Sequence, residues 1–201
     1  PRFAVSSSPA QLAAAGRLHR SYPGTWIQTH LAENHEEIRK VAKLHPSSSD
    51  YLNVYEKHGL LTDRTIFGHC LHLSDSEIAR MSDVGGKVAF CPSSNLFLGS
   101  GLLELEKLQQ AGLRIGVASD VGGGTSLSML RTLADAYKVC RLRDYSLSAM
   151  QAFGMATLGN AELLGLDRFI GNLERGKEAD MVLLKTKPGT IVGRRLELAE
   201  S

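Results

Sequence analysis

The run Trp26-Ile27-Gln28-Thr29-His30-Leu31-Ala32-Glu33-Asn34 joins a short apolar segment to a helical pattern through an imidazole and, three residues later, a carboxylate. Trp26 to His30 reads as a strand. A helix is expected from about Asn34, because Ile38, Val41 and Leu44 share one face before Pro46 stops it. Polar, chemistry-bearing residues at a strand's C-terminal end are what a βα barrel uses to build a site. Alone, His30 reads equally well as a partly buried structural histidine.

Two later junctions repeat the arrangement. Thr65-Ile66-Phe67 runs into Gly68-His69, and the strand Arg114 to Ala118 is followed by Asp120 and then Gly122-Gly123-Gly124. Between them, Ser74-Asp75-Ser76-Glu77 has capping-box spacing and predicts a helix to about Val84. Gly85-Gly86 then turns the chain into a strand from Lys87 to Phe90. Cys91-Pro92-Ser93-Ser94-Asn95 is expected to break that strand and open a loop through Gly99-Ser100-Gly101, with a helix from Leu102 to Ala111 after it. Upstream, Arg2-Phe3-Ala4-Val5 reads as a strand end, and Ser8-Pro9 as the start of a helix carrying Leu12, Ala15 and Leu18. Tyr51 to His58 is a short helix closed by Gly59. Further helices are expected over Ser128 to Arg141, Ser148 to Leu158 and Asn160 to Leu164, and a strand over Met181-Val182-Leu183-Leu184.

Strands alternating with helices argue for an α/β fold with a parallel sheet. Strand-end polar residues, a His/His/Asp set of metal-ligand type and the lack of a Gly-x-Gly-x-x-Gly fingerprint favour a barrel over a doubly wound sheet.

Composition narrows the function classes. Hydrophobic residues at 43% and charged residues at 22% suit an ordinary globular protein able to bury a core. The formal net charge is +2, with no basic stripe, so a nucleic-acid-binding surface has no support. No apolar stretch approaches the roughly 20 residues of a membrane span, and no leader pattern is visible. Three cysteines, Cys70, Cys91 and Cys140, are odd in number and widely spaced, so the expected setting is reducing and cytoplasmic. The chain opens on Pro1 rather than Met, with a strand already under way, and upstream residues are expected to be missing.

Taken together, His30, His69 and Asp120 read as ligands converging on one metal with a position left for water. Glu33, one turn on, could shuttle protons, although on spacing alone it reads better as a carboxylate favoured by a helix N-terminus. Arg2 and Phe3 would suit a purine, since a guanidinium fork matches the guanine O6/N7 edge. The simpler reading is a surface arginine beside a core aromatic. Gly122-Gly123-Gly124-Thr125 lacks a Walker lysine and reads as backbone passing close to a ligand or metal. Cys91 reads as a small buried residue, His72 as a non-ligand, and His19, His35, His45 and His58 as solvated.

The segments Thr29 to Asn34, Gly68-His69-Cys70, Phe90 to Gly101 and Ala118-Ser119-Asp120 resemble the amidohydrolase family. Pro1-Arg2-Phe3, the Cys-Pro-Ser-Ser-Asn run, and Asp120 to Gly124 leading to Ser128-Met129-Leu130 are similar to its guanine deaminases. So is the ending, from Ala156-Thr157-Leu158-Gly159-Asn160 to Gly176-Lys177-Glu178-Ala179-Asp180. The resemblance implies a partial (β/α)8 TIM-type barrel, about strands four to eight, over residues 1–175. Residues 176–201 would then begin a return to a small β-domain.

It also implies hydrolysis of guanine to xanthine and ammonia at one metal, zinc or else iron, in a homodimer. His30 and Asp120 would be the ligands, and His69 would hydrogen-bond the hydrolytic water instead of binding metal. Glu33 would protonate the ring nitrogen, and Asp120 would also take the proton from the water. Arg2 and Phe3 would hold guanine, with His30, Glu33 and Asp120 facing it. The family's His-x-His motif does not occur in these residues. Two alternatives remain: a sister enzyme acting on another aminated or halogenated heterocycle, and a non-catalytic fragment.

Overall fold

The computed structural model describes residues 1–183, 185, 189 and 190. Within them lies a four-stranded parallel sheet whose spatial order follows the chain: β1 (Ile27–Leu31), β2 (Thr65–His69), β3 (Lys87–Phe90) and β4 (Arg114–Val117). The helices are α1 (Pro9–Ser21), α2 (His35–Leu44), α3 (Tyr51–Lys57), α4 (Asp75–Asp83), α5 (Pro92–Leu98), α6 (Leu105–Gln110), α7 (Met129–Leu142), α8 (Ala149–Ala156) and α9 (Leu158–Leu164). No helix among the described residues is long and apolar enough to cross a membrane.

Local chemistry accounts for most boundaries. Ser8 and Gln11 form a reciprocal capping box at α1, and Ser74 and Glu77 form another at α4. Asn34 and Asp50 cap α2 and α3 by accepting from the backbone N–H groups of Glu37 and Asn53. One face of the sheet buries Leu31, Phe67, Val88, Phe90 and Val117 in the hydrophobic core. Register across the strands aligns His30, Gly68, Ala89 and Gly116 in one row. Three of these four are glycine or alanine, so the sheet beside His30 carries no bulk.

The exposed side of β4 is closed by a side chain. Asn160 on α9 accepts from the Val117 N–H and donates to the Val117 carbonyl, both at 3.0 Å, satisfying backbone groups that a further strand would otherwise pair. A Cβ on Gly116 would lie 2.2 Å from the Asn160 Oδ1, which accounts for the glycine.

The structure departs from expectation in four places. Arg2–Val5 does not form a strand. The Arg2 carbonyl takes one ladder-like bond from the His30 N–H at 2.9 Å, and the chain then turns into a single 3-10 turn over Ala4–Ser6. The Ala4 N–H is diverted to the Tyr55 hydroxyl, which ends any pairing. Cys91 to Gly101 is not all loop: Pro92 occupies the first turn of α5, which Gly99 closes in the left-handed conformation. His45 is buried rather than solvated, its Nε2 lying 3.3 Å from the Ala4 carbonyl. Met181, Val182 and Leu183 adopt no strand, and Leu184 lies outside the described residues, as do 191–201 of the expected small β-domain.

Helix α1 packs against the end of α3 at a glycine. A Cβ on Gly16 would sit 1.8 Å from the His58 carbonyl oxygen, a backbone atom that cannot swing aside. Alanine is the better helix former by about 1 kcal/mol, but overpacking costs about 1–3 kcal/mol or more. With so short a backbone contact the cost lies at the upper end of that range, and Gly16→Ala is expected to lower stability by about 2 kcal/mol net. The check is the urea unfolding midpoint, and an unchanged or raised value would refute the steric account.

Candidate metal centre and active site

The C-terminal ends of β1, β2 and β4 meet at one point. His30, His69 and Asp120 each offer a ligating atom, and these atoms lie within 4.8 Å of one another. The backbone there is unusual. Ala32, His69, Cys70 and Asp120 all have left-handed φ values, between 46° and 71°, although none is glycine. Each such residue costs on the order of 1–3 kcal/mol and persists only where the surroundings enforce it. Asp tolerates this conformation better than most side chains.

The glycines after Asp120 wrap around it. A Cβ on Gly123 would lie 2.6 Å from the Ser94 Oγ and 3.0 Å from the Asp120 Oδ2, and one on Gly124 would strike the Ser119 carbonyl at 1.9 Å. The close neighbours of this backbone are protein groups, Asp120 itself and Ser94, rather than the ligand or metal expected from the sequence.

His30 is held by the start of the chain. Its Nδ1 lies 2.8 Å from the Arg2 carbonyl, which also accepts from the His30 N–H. A ring nitrogen this close to a carbonyl oxygen carries a proton, and in the neutral ring that leaves the lone pair on Nε2. The Tyr55 hydroxyl donates to the His30 carbonyl at 2.7 Å and receives the Ala4 N–H at 3.0 Å. Burial pushes the Tyr55 phenol up to about 12, so it stays a donor at neutral pH.

His69 is buried and sits 5.0 Å, ring to ring, from His30. Burial lowers its pKa against the opposing pull of the Glu33 carboxylate, so the neutral imidazole is favoured. Its Nε2 lies 3.7 Å from the Glu33 Oε2 and 4.0 Å from the Asp120 Oδ2. Its Nδ1 faces the Asn95 Nδ2 at 3.1 Å. Glu33 precedes the Asn34 cap of α2, and the first-turn carboxylates are Glu36 and Glu37. Glu33 thus lies just before the cap of α2 rather than in its first turn. Its Oε1 accepts from the Ser100 hydroxyl at 3.0 Å.

Arg2 lies over the Phe3 ring at 5.0 Å, and the Phe3 ring lies 5.8 Å from that of His30, so both flank the site. His72 points away, its Nε2 2.9 Å from the Ser100 carbonyl. Burial pushes the Cys91 thiol up to about 12, consistent with an inert residue.

The model of the amidohydrolase family matches residues 1–199. The chain belongs to the amidohydrolase family. Among curated relatives, this amidohydrolase chain is 50% identical over 185 residues to guanine deaminase of Escherichia coli (strain K12), covering 92% of this chain and 42% of that protein. The solved E. coli guanine deaminase superposes with a TM-score of 0.87 at 51% identity, over 89% of this chain and 42% of that one. A guanine deaminase from C. acetobutylicum, solved with guanine in its active site, superposes at 0.82 with 32% identity, over 88% of this chain and 43% of that one. A zinc-bound adenosine deaminase from Xanthomonas campestris gives 0.81 at 26% identity, over 90% of this chain and 41% of that one. The chain thus spans about 42% of the length of these curated relatives.

All six predicted residues of this amidohydrolase chain (Arg2, Phe3, His30, Glu33, His69 and Asp120) fall in one neighbourhood. Asn95, Ser100 and Tyr55 were assigned no part in the site from sequence. Asn95 and Ser100 stand 26 and 67 residues from the groups they bond, distances at which no local pattern operates.

Proposed function

We propose that the full-length protein containing this chain deaminates guanine hydrolytically to xanthine and ammonia. In this reading the chain forms about strands four to eight of a (β/α)8-type barrel over residues 1–175, with a small β-domain beginning after residue 176. The observation that carries the proposal is the convergence of His30, His69 and Asp120 within 4.8 Å beside the Glu33 carboxylate. Similarity to guanine deaminases, one of them solved with guanine bound, supports the substrate.

The donor set fits a divalent metal, zinc or iron. His30 presents a bare Nε2 because its Nδ1 is committed to the Arg2 carbonyl, and Asp120 adds a carboxylate oxygen from the opposite edge of the sheet. His30 and Asp120 would hold the ion, with further ligands from outside these residues. Once bound, such an ion supplies Lewis acidity and brings the pKa of water toward about 7.

The protein's own groups divide the proton work. Asp120 accepts a proton from the attacking water, whose oxygen bonds to C2 of guanine. Glu33, entering as the carboxylic acid, gives its proton to the adjacent ring nitrogen. Its carboxylate then takes the remaining proton of the new C2 hydroxyl and passes it to the exocyclic nitrogen. That nitrogen leaves as ammonia with the electron pair of the C2–N bond as C2=O forms, and the proton held on Asp120 returns through solvent to Glu33. His69 donates a hydrogen bond to the attacking oxygen. The Arg2 guanidinium, stacked on Phe3, meets the O6/N7 edge, and Phe3 packs on the ring.

The test is spectroscopic conversion of guanine by the purified full-length protein, with metal stoichiometry measured on the same sample. Turnover of a different heterocycle with guanine untouched would overturn the substrate, and a metal-free protein would overturn the mechanism. Arg2→Ala is expected to raise KM for guanine by about 10- to 100-fold, the worth of one bidentate purine contact, with a smaller effect on kcat. An unchanged KM would remove Arg2 from the substrate site.

A further inference from the structure

Two histidines stand 5.0 Å apart in this site, and their Nδ1 atoms meet partners of opposite kind. The His30 Nδ1 faces a carbonyl oxygen, an acceptor only, so the proton sits on Nδ1 and Nε2 is bare. The His69 Nδ1 faces the Asn95 amide nitrogen at 3.1 Å, a donor only. With the amide nitrogen turned to the ring, Nδ1 is the acceptor and the ring proton sits on Nε2, while the Asn95 Oδ1 is left buried with no hydrogen-bond partner. The other side of the ring agrees independently. Nε2 lies 3.7 Å from the Glu33 Oε2 and 4.0 Å from the Asp120 Oδ2, so it faces two carboxylates, which attract an N–H and repel a lone pair.

We propose that Asn95 is a positioning residue that makes His69 a hydrogen-bond donor and keeps it out of the metal's ligand set. This rests on the metal-dependent hydrolase reading above and assigns a task that distance alone leaves open, since His69 is within ligating range of His30 and Asp120. The amide is well placed to enforce the choice. Asn95 is buried to 1% exposure in the first turn of α5, anchored there by its own N–H to the Cys91 carbonyl at 3.0 Å. Next to it, Ser93 ties the same turn to Asp135 on α7 at 2.8 Å. The segment from Pro92 to Gly101 thus holds two groups at once, His69 through Asn95 and Glu33 through Ser100.

The decisive comparison is Asn95→Asp against Asn95→Ala in the full-length protein. Aspartate nearly preserves shape but can only accept, so it draws a proton onto Nδ1 while Nε2 still faces two carboxylates, whereas alanine merely releases the ring. In metal-free protein labelled with 15N-histidine, wild-type His69 is expected to show a bare Nδ1 and a protonated Nε2. Asn95→Asp should add a proton at Nδ1 and give the doubly protonated ring, and Asn95→Ala should give a mixture of neutral tautomers. In the metal-loaded protein, Asn95→Ala should lower kcat about 10- to 100-fold with KM little changed. A protonated Nδ1 in the wild type, or ring protonation unchanged in both variants, would overturn the proposal. The tautomer measurement needs neither metal nor substrate, so its outcome is independent of whether guanine is turned over.

Discussion

Glu33→Gln is expected to leave metal content at the wild-type level and to lower kcat by about 10²–10⁴-fold, or about 3–5.5 kcal/mol of transition-state stabilisation. The amide keeps the shape of the carboxylate and can still accept from the Ser100 hydroxyl, which meets Glu33 Oε1 at 3.0 Å, so the backbone after β1 is not disturbed. What the amide lacks is a proton to give and a site to take one back. Glu33 lies outside the His30–His69–Asp120 set, so the metal has no reason to leave. The measurement is kcat and KM for guanine beside metal stoichiometry. Wild-type kcat with full metal would remove Glu33 from proton transfer, and loss of metal would make it a ligand instead.

That expectation could be written only partly from the sequence. The βα alternation, the capping boxes at Ser8 and Ser74 and the strand limits at Lys87–Phe90 were legible because short-range patterns set them. Helix α5 was not. Pro92-Ser93-Ser94-Asn95 has poor helix propensity, and the segment is helical because its polar side chains find distant partners, Ser93 on Asp135 and Asn95 on His69. The start of the chain failed for the mirror reason. Arg2 to Val5 has the composition of a strand, but Tyr55 takes the Ala4 N–H that a neighbouring strand would need. Spacing favoured plainer readings of Glu33, Arg2 and Phe3, whereas His30, His69 and Asp120 were legible one by one as strand-end polar groups. Their division of labour was not, because tautomers are set by contacts such as Arg2 to His30 and Asn95 to His69 that arise only on folding.

Asp120→Asn is expected to produce the larger loss, since on the proposed mechanism one change removes a ligand charge and a proton acceptor together. Asparagine is nearly isosteric and, like aspartate, tolerates the left-handed φ of 46° found at this position, so folding should be spared. The surrounding turn has little freedom to compensate. Gly123 leaves no room for a Cβ between the Ser94 Oγ and the Asp120 Oδ2, and the Gly124 N–H is bonded to the Asp120 carbonyl. A replacement side chain is therefore held close to where the carboxylate was. The proton-transfer share alone is worth about 10²–10⁴-fold in kcat, and weakened metal binding adds to it. Metal stoichiometry should fall below that of Glu33→Gln under the same dialysis, with an unaltered unfolding midpoint in the metal-free state. Both variants lose turnover, but only Asp120→Asn should lose metal with it. If Asp120→Asn retains full metal, the ion is held by other residues and Asp120 acts on protons alone.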